Sequence, residues 1–187
     1  MKSSKITFIL ILCFAALFKT NVSWAELSVS VTNKEGNPYT KWAIDNAALD
    51  TVYIMNANEF LKITNDGTAT ADYKLKVSSP GLWSYSTTTN ENQCVLMGIF
   101  AADDPASYTP QESDFSTMFD IIDPQGSIAG KSEAYTGHFQ GAAPDYDGYS
   151  VAPGQGRKLY FYLKTPGNIQ PVLQEQNIGI TIEAIAH

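Results

Sequence analysis

The stretch "EFLKITNDGTATADYKLKVSSPGLW", residues 59–83, carries the most legible structural signal in the chain. Its first run sets Leu61 and Ile63 against Phe60, Lys62 and Thr64. Its second sets Tyr73, Leu75 and Val77 against Asp72, Lys74 and Lys76. A period of two with one apolar and one polar face is the pattern of a half-buried strand. "NDGT" between them offers residues that tolerate positive φ, so two strands joined as a hairpin are expected. Pro80 and Gly81 end the second strand.

Further strand signals lie on either side. "ELSVSVTN" places Leu27, Val29 and Val31 on one face, and "TVYIM" reads as a short strand. "CVLMGIFA", residues 94–101, is apolar on both faces, as a strand in the middle of a covered sheet would be. After the turn "APGQG", Leu159, Phe161 and Leu163 alternate with Lys158, Tyr160, Tyr162 and Lys164. "QNIGITIEAIA" then sets Ile178, Ile180, Ile182 and Ala184 on one face of a final strand. "WAIDNAALD" fits a helical turn or a loop. Recurrent strands, turn residues between them and no convincing run of helices predict an all-β chain: a single antiparallel β-sandwich.

The period fails between about residues 102 and 150, which are rich in Asp, Ser, Gly, Pro and aromatic residues. "SDFSTMFDIID" fits either a short helix capped by Ser113 or an irregular strand. A segment this long exceeds an ordinary connection, so it reads as an insert and as one place to look for a binding surface.

The first 25 residues read as a secretory signal. Lys2 and Lys5 precede the apolar run "ITFILILCFAALF", and Ser23 and Ala25 are the small residues before a cut that leaves Glu26 first. The run is shorter than the roughly 20 residues of a spanning helix. Leu12 ahead of Cys13 does not fit a lipoprotein cut. Residues 26–187 are then one domain of 162 residues with no membrane span, expected outside the cytoplasm: secreted, periplasmic or on the cell surface. The signal holds three of the 12 basic residues and no acidic ones, so the mature part carries nine against 19, a net charge of −10. Such a chain lacks the basic surface that displaces counterions from phosphates, which argues against nucleic acid as a partner. Cys94 is its only cysteine, so no internal disulfide forms. The run it opens predicts a buried, inert thiol rather than an intermolecular bridge.

Two pieces resemble bacterial immunoglobulin-like surface domains of the cell-adhesion-related and galactosidase-associated types. "FLKITNDGTATADYKLKVSSPGLW" is similar to their front half. "VAPGQGRKLYFYLKTP" with "QNIGITIEAIA" is similar to their back half. The layout also resembles small uncharacterised secreted bacterial proteins. The likeness covers residues 52–83 and 150–186, and implies an immunoglobulin-like sandwich in which Asn65, Gly67, Pro153 and Gly154 turn the chain.

Catalytic chemistry has little to work with, and no residue is assigned a catalytic role. The mature part holds two histidines, His138 and the terminal His187, and no Gly-x-Ser-x-Gly elbow. His138 reads as a loop residue with local hydrogen bonds. Zinc lacks a ligand pair at the right spacing. "DYDG" puts Asp145 and Asp147 two apart before Gly148, like the start of a calcium loop without its distal Glu. Asp145 and Asp147 are thus the candidate calcium ligands, and no other cofactor is expected. Asp120 and Asp123 are the carboxylates from which a hydrolase would have to be built. Seven aromatics of the insert, Tyr108, Phe115, Phe119, Tyr135, Phe139, Tyr146 and Tyr149, would either pin it to the sandwich or face a polysaccharide. The expected role is therefore non-enzymatic: structure or interaction with other protein chains through an unprotected edge strand, with "ELSVSVTN" the suspect because it carries no charge beyond Glu26. Carbohydrate binding through the insert is the alternative.

Overall fold

A computed structural model describes residues 25–39, 41–78, 83–103, 108–129, 138–139, 148–170 and 176–187. Asp145, Asp147, Tyr135, Tyr146, Pro80, Gly81 and nearly all of the expected signal lie outside them. The fold is all-β. Its strands are β1 (Val29–Thr32), β2 (Val52–Ile54), β3 (Leu61–Asn65), β4 (Ala71–Val77), β5 (Ser84–Tyr85), β6 (Gln93–Ala102), β7 (Ser127–Ile128), β8 (Gly156–Lys164) and β9 (Ile180–Ala186). Six of them form one sheet in the order β1-β3-β8-β6-β5, with β2 pairing β8 beside β3. The other three form a second sheet, β7-β4-β9. Pairing is antiparallel throughout, except between β5 and β6.

The opening stretch does form two strands with the expected buried faces. It does not form a hairpin. β3 pairs with β1 and β8, whereas β4 pairs with β7 and β9, so residues 66–70 carry the chain from one sheet to the other. Asn65 makes this crossing. It is wholly buried, its Nδ2 donates to the carbonyls of Ala69 and Val151 at 2.8 Å each, and its Oδ1 accepts from the Gly67 N–H at 3.0 Å. Gly67 is not in the left-handed region. It is required by proximity instead, because a Cβ there would lie 2.2 Å from the Glu26 carbonyl oxygen. Gly154 does need its freedom. With φ at 76°, Pro153 before it and the Gln155 N–H donating to the Ala152 carbonyl at 3.0 Å, it makes a type II turn.

The two sheets meet along the inward faces of β6, β8, β3 and β4. Phe100 on β6 lies against Tyr73 on β4 with ring centroids 5.7 Å apart. A Cβ on Gly98 would touch Ile122, Leu75 and Leu159. β6 is buried on both faces, as its continuous apolar run predicts. β8 departs from its half-exposed reading, because Lys158 to Leu163 are all buried. The outer face is covered by other parts of the chain. Tyr108 packs edge-on against Tyr160, Phe115 tilts against Tyr162, and Phe60 packs on Tyr160 and beneath the Lys158 ammonium. The described insert is thus a third partial layer. It also pairs with the free edge of β6: Gly98 donates to the Asp120 carbonyl, Ile122 to that of Leu96, and Phe100 to that of Phe139. "SDFSTMFDIID" is neither helix nor strand along its length. A single 3₁₀ turn, Glu112–Asp114, overlaps its first two residues, with Ser113 inside that turn and Gln111 as its cap.

Candidate functional site: a cleft beside the edges of β1 and β9

The sheets part on one side of the molecule. The last strand of each is an edge there, β1 in the larger sheet and β9 in the smaller. β1 and β9 come within 8 Å of each other, Cα to Cα, at their closest, and beside them lies a cleft of about 1020 Å³. Its floor is the apolar interior of the larger sheet: Leu61, Leu96, Phe161 and Leu163. Ile178, Ile180 and Ile182 of the β9 segment form one wall. Val31, Tyr39 and residues 41–49 form the other, and Trp42 and Trp83 both line the space.

The backbone hydrogen bonds show which groups these edges offer. In an antiparallel ladder, alternate residues direct both N–H and C=O to the same neighbour. Gly179 accepts from the Ser78 N–H, so Gly179, Thr181, Glu183 and Ile185 bond to β4. Ile178, Ile180, Ile182, Ala184 and Ala186 consequently turn their N–H and C=O groups outward, where no strand pairs with them among the described residues. On β1, Ser28 accepts from the Asp66 N–H, so Ser28, Ser30 and Thr32 face β3 while Val29 and Val31 face outward. Only Val31 is taken up: its carbonyl accepts from the Tyr39 N–H at 3.2 Å, where the chain peels away into the cleft wall. Burial, with Glu59 nearby, pushes the Tyr39 hydroxyl up to about 12, so it stays protonated at neutral pH.

Edge strands are usually guarded by charges, bulges or proline. Residues 27–32 carry no charge. The one charge on β9, Glu183, is engaged by Lys76 of β4. The Trp83 indole N–H is buried without an acceptor among the described residues. The described geometry suits a reader of extended polypeptide. It has apolar depth for alternate side chains and a row of main-chain donors and acceptors beside it. The volume is at the upper end of the roughly 300–1,000 Å³ typical of small-molecule pockets.

The other candidates are engaged elsewhere. Cys94 is fully buried, and burial pushes its thiol up to about 12. The Asp120 carboxylate accepts from the Ser116 N–H at 2.7 Å, and that of Asp123 from the Gly126 N–H at 2.7 Å. The His138 Nδ1 lies 2.7 Å from the Phe119 carbonyl oxygen, with its ring between Phe119 and Phe139. His187 Nδ1 sits 3.0 Å from Asp72, and its ring meets Tyr149 edge-on. Among the insert aromatics, Phe115 and Phe139 are buried and Tyr108, Phe119 and Tyr149 are half-buried. Of the described residues, no three His, Cys, Asp or Glu side chains gather as a metal site. No described helix is long and apolar enough to cross a membrane. β1 was legible as a candidate edge from its missing charges. The β9 edge, Trp42 and the cleft floor were not, because they come from four separate strands and a loop. No protein-family model, curated protein or solved structure matches the chain.

Proposed function

We propose that this chain is a non-enzymatic protein of the cell exterior, an immunoglobulin-like β-sandwich with a structural or protein-interaction role. It acts by accepting an extended strand of another polypeptide on the outward edge of β9, in the cleft beside it. The observation that carries this reading is the edge of β9, unpaired among the described residues, beside an apolar floor and opposite the Val29 end of β1. An added strand would satisfy outward groups of Ile178, Ile180 and Ile182 that no described strand pairs with, at about 1 kcal/mol net per hydrogen bond. It would also cover the half-buried isoleucines. The expected export of the chain supports a place outside the cytoplasm.

The test is photo-crosslinking in the native cell. A photoreactive residue at position 180, on the cleft edge, is compared with one at position 118, the most exposed apolar residue of the insert. A discrete protein adduct from position 180, absent from position 118, is the expected result. Adducts from position 118 alone would move the interaction to the insert. No adduct from either position would remove the basis for an interaction role.

A further inference from the structure

We infer that the occupant of the cleft is a cationic extended segment of a different protein, not a second copy of this chain. This rests on the reading of the cleft as a strand acceptor and adds the chemistry of what enters it.

Depth and edge decide the occupant's backbone and alternate side chains. From Ile178 to Ile182 the β9 edge spans about 13 Å at a strand's rise. That length presents three residues whose N–H and C=O groups both point out. A matching segment is extended, about five residues long, with small apolar side chains facing Leu61, Phe161 and Leu163 and polar ones facing out.

Charge decides between partners. The chain's own residues 27–32 have the right alternation, so self-association must be weighed. Two facts oppose it. That segment is already bonded within its own fold: β1 pairs with β3, and Glu26 and Ser28 accept from Thr68 and Asp66. The mature part also carries a net charge of −10, so two copies repel as they approach. Within the lining, Lys41 and Asp45 offset one another, leaving no local positive field to overcome that repulsion. The same field draws in a positively charged segment and raises its rate of association, an effect that salt removes.

The experiment has a built-in reporter. Of the three tryptophans only Trp42 and Trp83 belong to residues 26–187, and both line the cleft. Their fluorescence is titrated with synthetic peptides sharing a core of alternating valine and threonine of about five residues. One peptide is flanked by lysines, one by glutamates, and one is lysine-flanked with alternate core amides N-methylated. A fourth is the chain's own segment 26–32. The lysine-flanked peptide is expected to saturate the signal at low salt, at least about tenfold more tightly than its glutamate-flanked twin. That gap should narrow at about 0.5 M salt. The N-methylated peptide is expected to lose binding, because it keeps the charge but lacks the donors.

Equal affinity for the two flanks overturns the inference, as does tighter binding by segment 26–32, which would point to a second copy. No peptide binding also overturns it. Undiminished binding by the N-methylated peptide removes strand pairing from the explanation. A position-180 adduct together with equal affinity for both flanks would sink this inference while leaving the interaction reading in place.

Discussion

Replacing Asn65 by alanine tests the crossing between the sheets, because the whole fold turns there. The side chain makes three hydrogen bonds from a fully buried position. The consequences differ by partner. The Val151 carbonyl keeps a second donor, the Ala71 N–H at 3.0 Å. The Ala69 carbonyl is half-buried and can turn to water. The Gly67 N–H is buried and is left without an acceptor. Three lost bonds at about 1 kcal/mol each, with a further penalty of about 1 kcal/mol for the orphaned Gly67 donor, give a loss near 4 kcal/mol. That is a large share of the roughly 5–15 kcal/mol that holds a domain of this size together. In urea unfolding of residues 26–187, followed by fluorescence, the midpoint should fall by about 2 M with an unchanged slope. Asn65→Asp is the control. It keeps the acceptor for Gly67 but turns a carboxylate toward two carbonyl oxygens, so it should be at least as destabilised at neutral pH. Burial raises that acid's folded-state pKa, so part of the loss should return as the pH drops and it protonates. A loss below about 1 kcal/mol for Asn65→Ala would refute the view that Asn65 holds the crossing together.

Adjacent prolines on β9 should behave oppositely. Thr181→Pro removes a donor to β4 and should unfold the smaller sheet, whereas Ile182→Pro removes only an outward donor and should leave a cooperative thermal transition while abolishing strand addition. Native Cys94 should resist thiol reagents at pH 8, since a thiol pushed up to about 12 holds roughly a thousandfold less thiolate than an ordinary one. Labelling should become rapid only in denaturant, and fast native labelling would contradict its buried position. Acid should loosen β9. A hydrogen bond from Lys76 holds the Glu183 carboxyl below its ordinary range, so the pairing contributes above the unfolded carboxylate's pKa and is lost as the pH falls through the folded one. Hydrogen-exchange protection at Thr181 and Glu183, measured against the intrinsic rate at each pH, should therefore fall at low pH in the wild type, and already be lower at neutral pH in Lys76→Ala.

The strands of this protein are written in its sequence wherever one face is buried and the other wet. The alternation in "ADYKLKV" is reproduced residue by residue in β4, save for Asp72, which is buried where Ser150 donates to it and His187 lies against it. The apolar run of β6 foretold cover on both faces, although not what supplies it. β8 shows where the pattern misleads. Tyr160 and Tyr162 look like an outward face because each carries a hydroxyl, yet their rings lie under Tyr108 and Phe115, some 50 residues away.

Local sequence determined the longer strands, which side of β3 and β4 would be buried, and where Pro153 and Gly154 would turn the chain. It also set the acidic balance. Tertiary structure alone decided which strands became neighbours. A period of two records the environment of a face and is silent about the partner across the hydrogen bonds. "TNDGT" therefore reads equally well as a hairpin or as a crossing between sheets. The burial of Asn65 and the contact of Gly67 with Glu26 resolve it as a crossing. The cleft was illegible for the same reason. It lies beside a β9 edge that stays unpaired among the described residues, and an unpaired edge is a property of the assembled sheets rather than of any one strand.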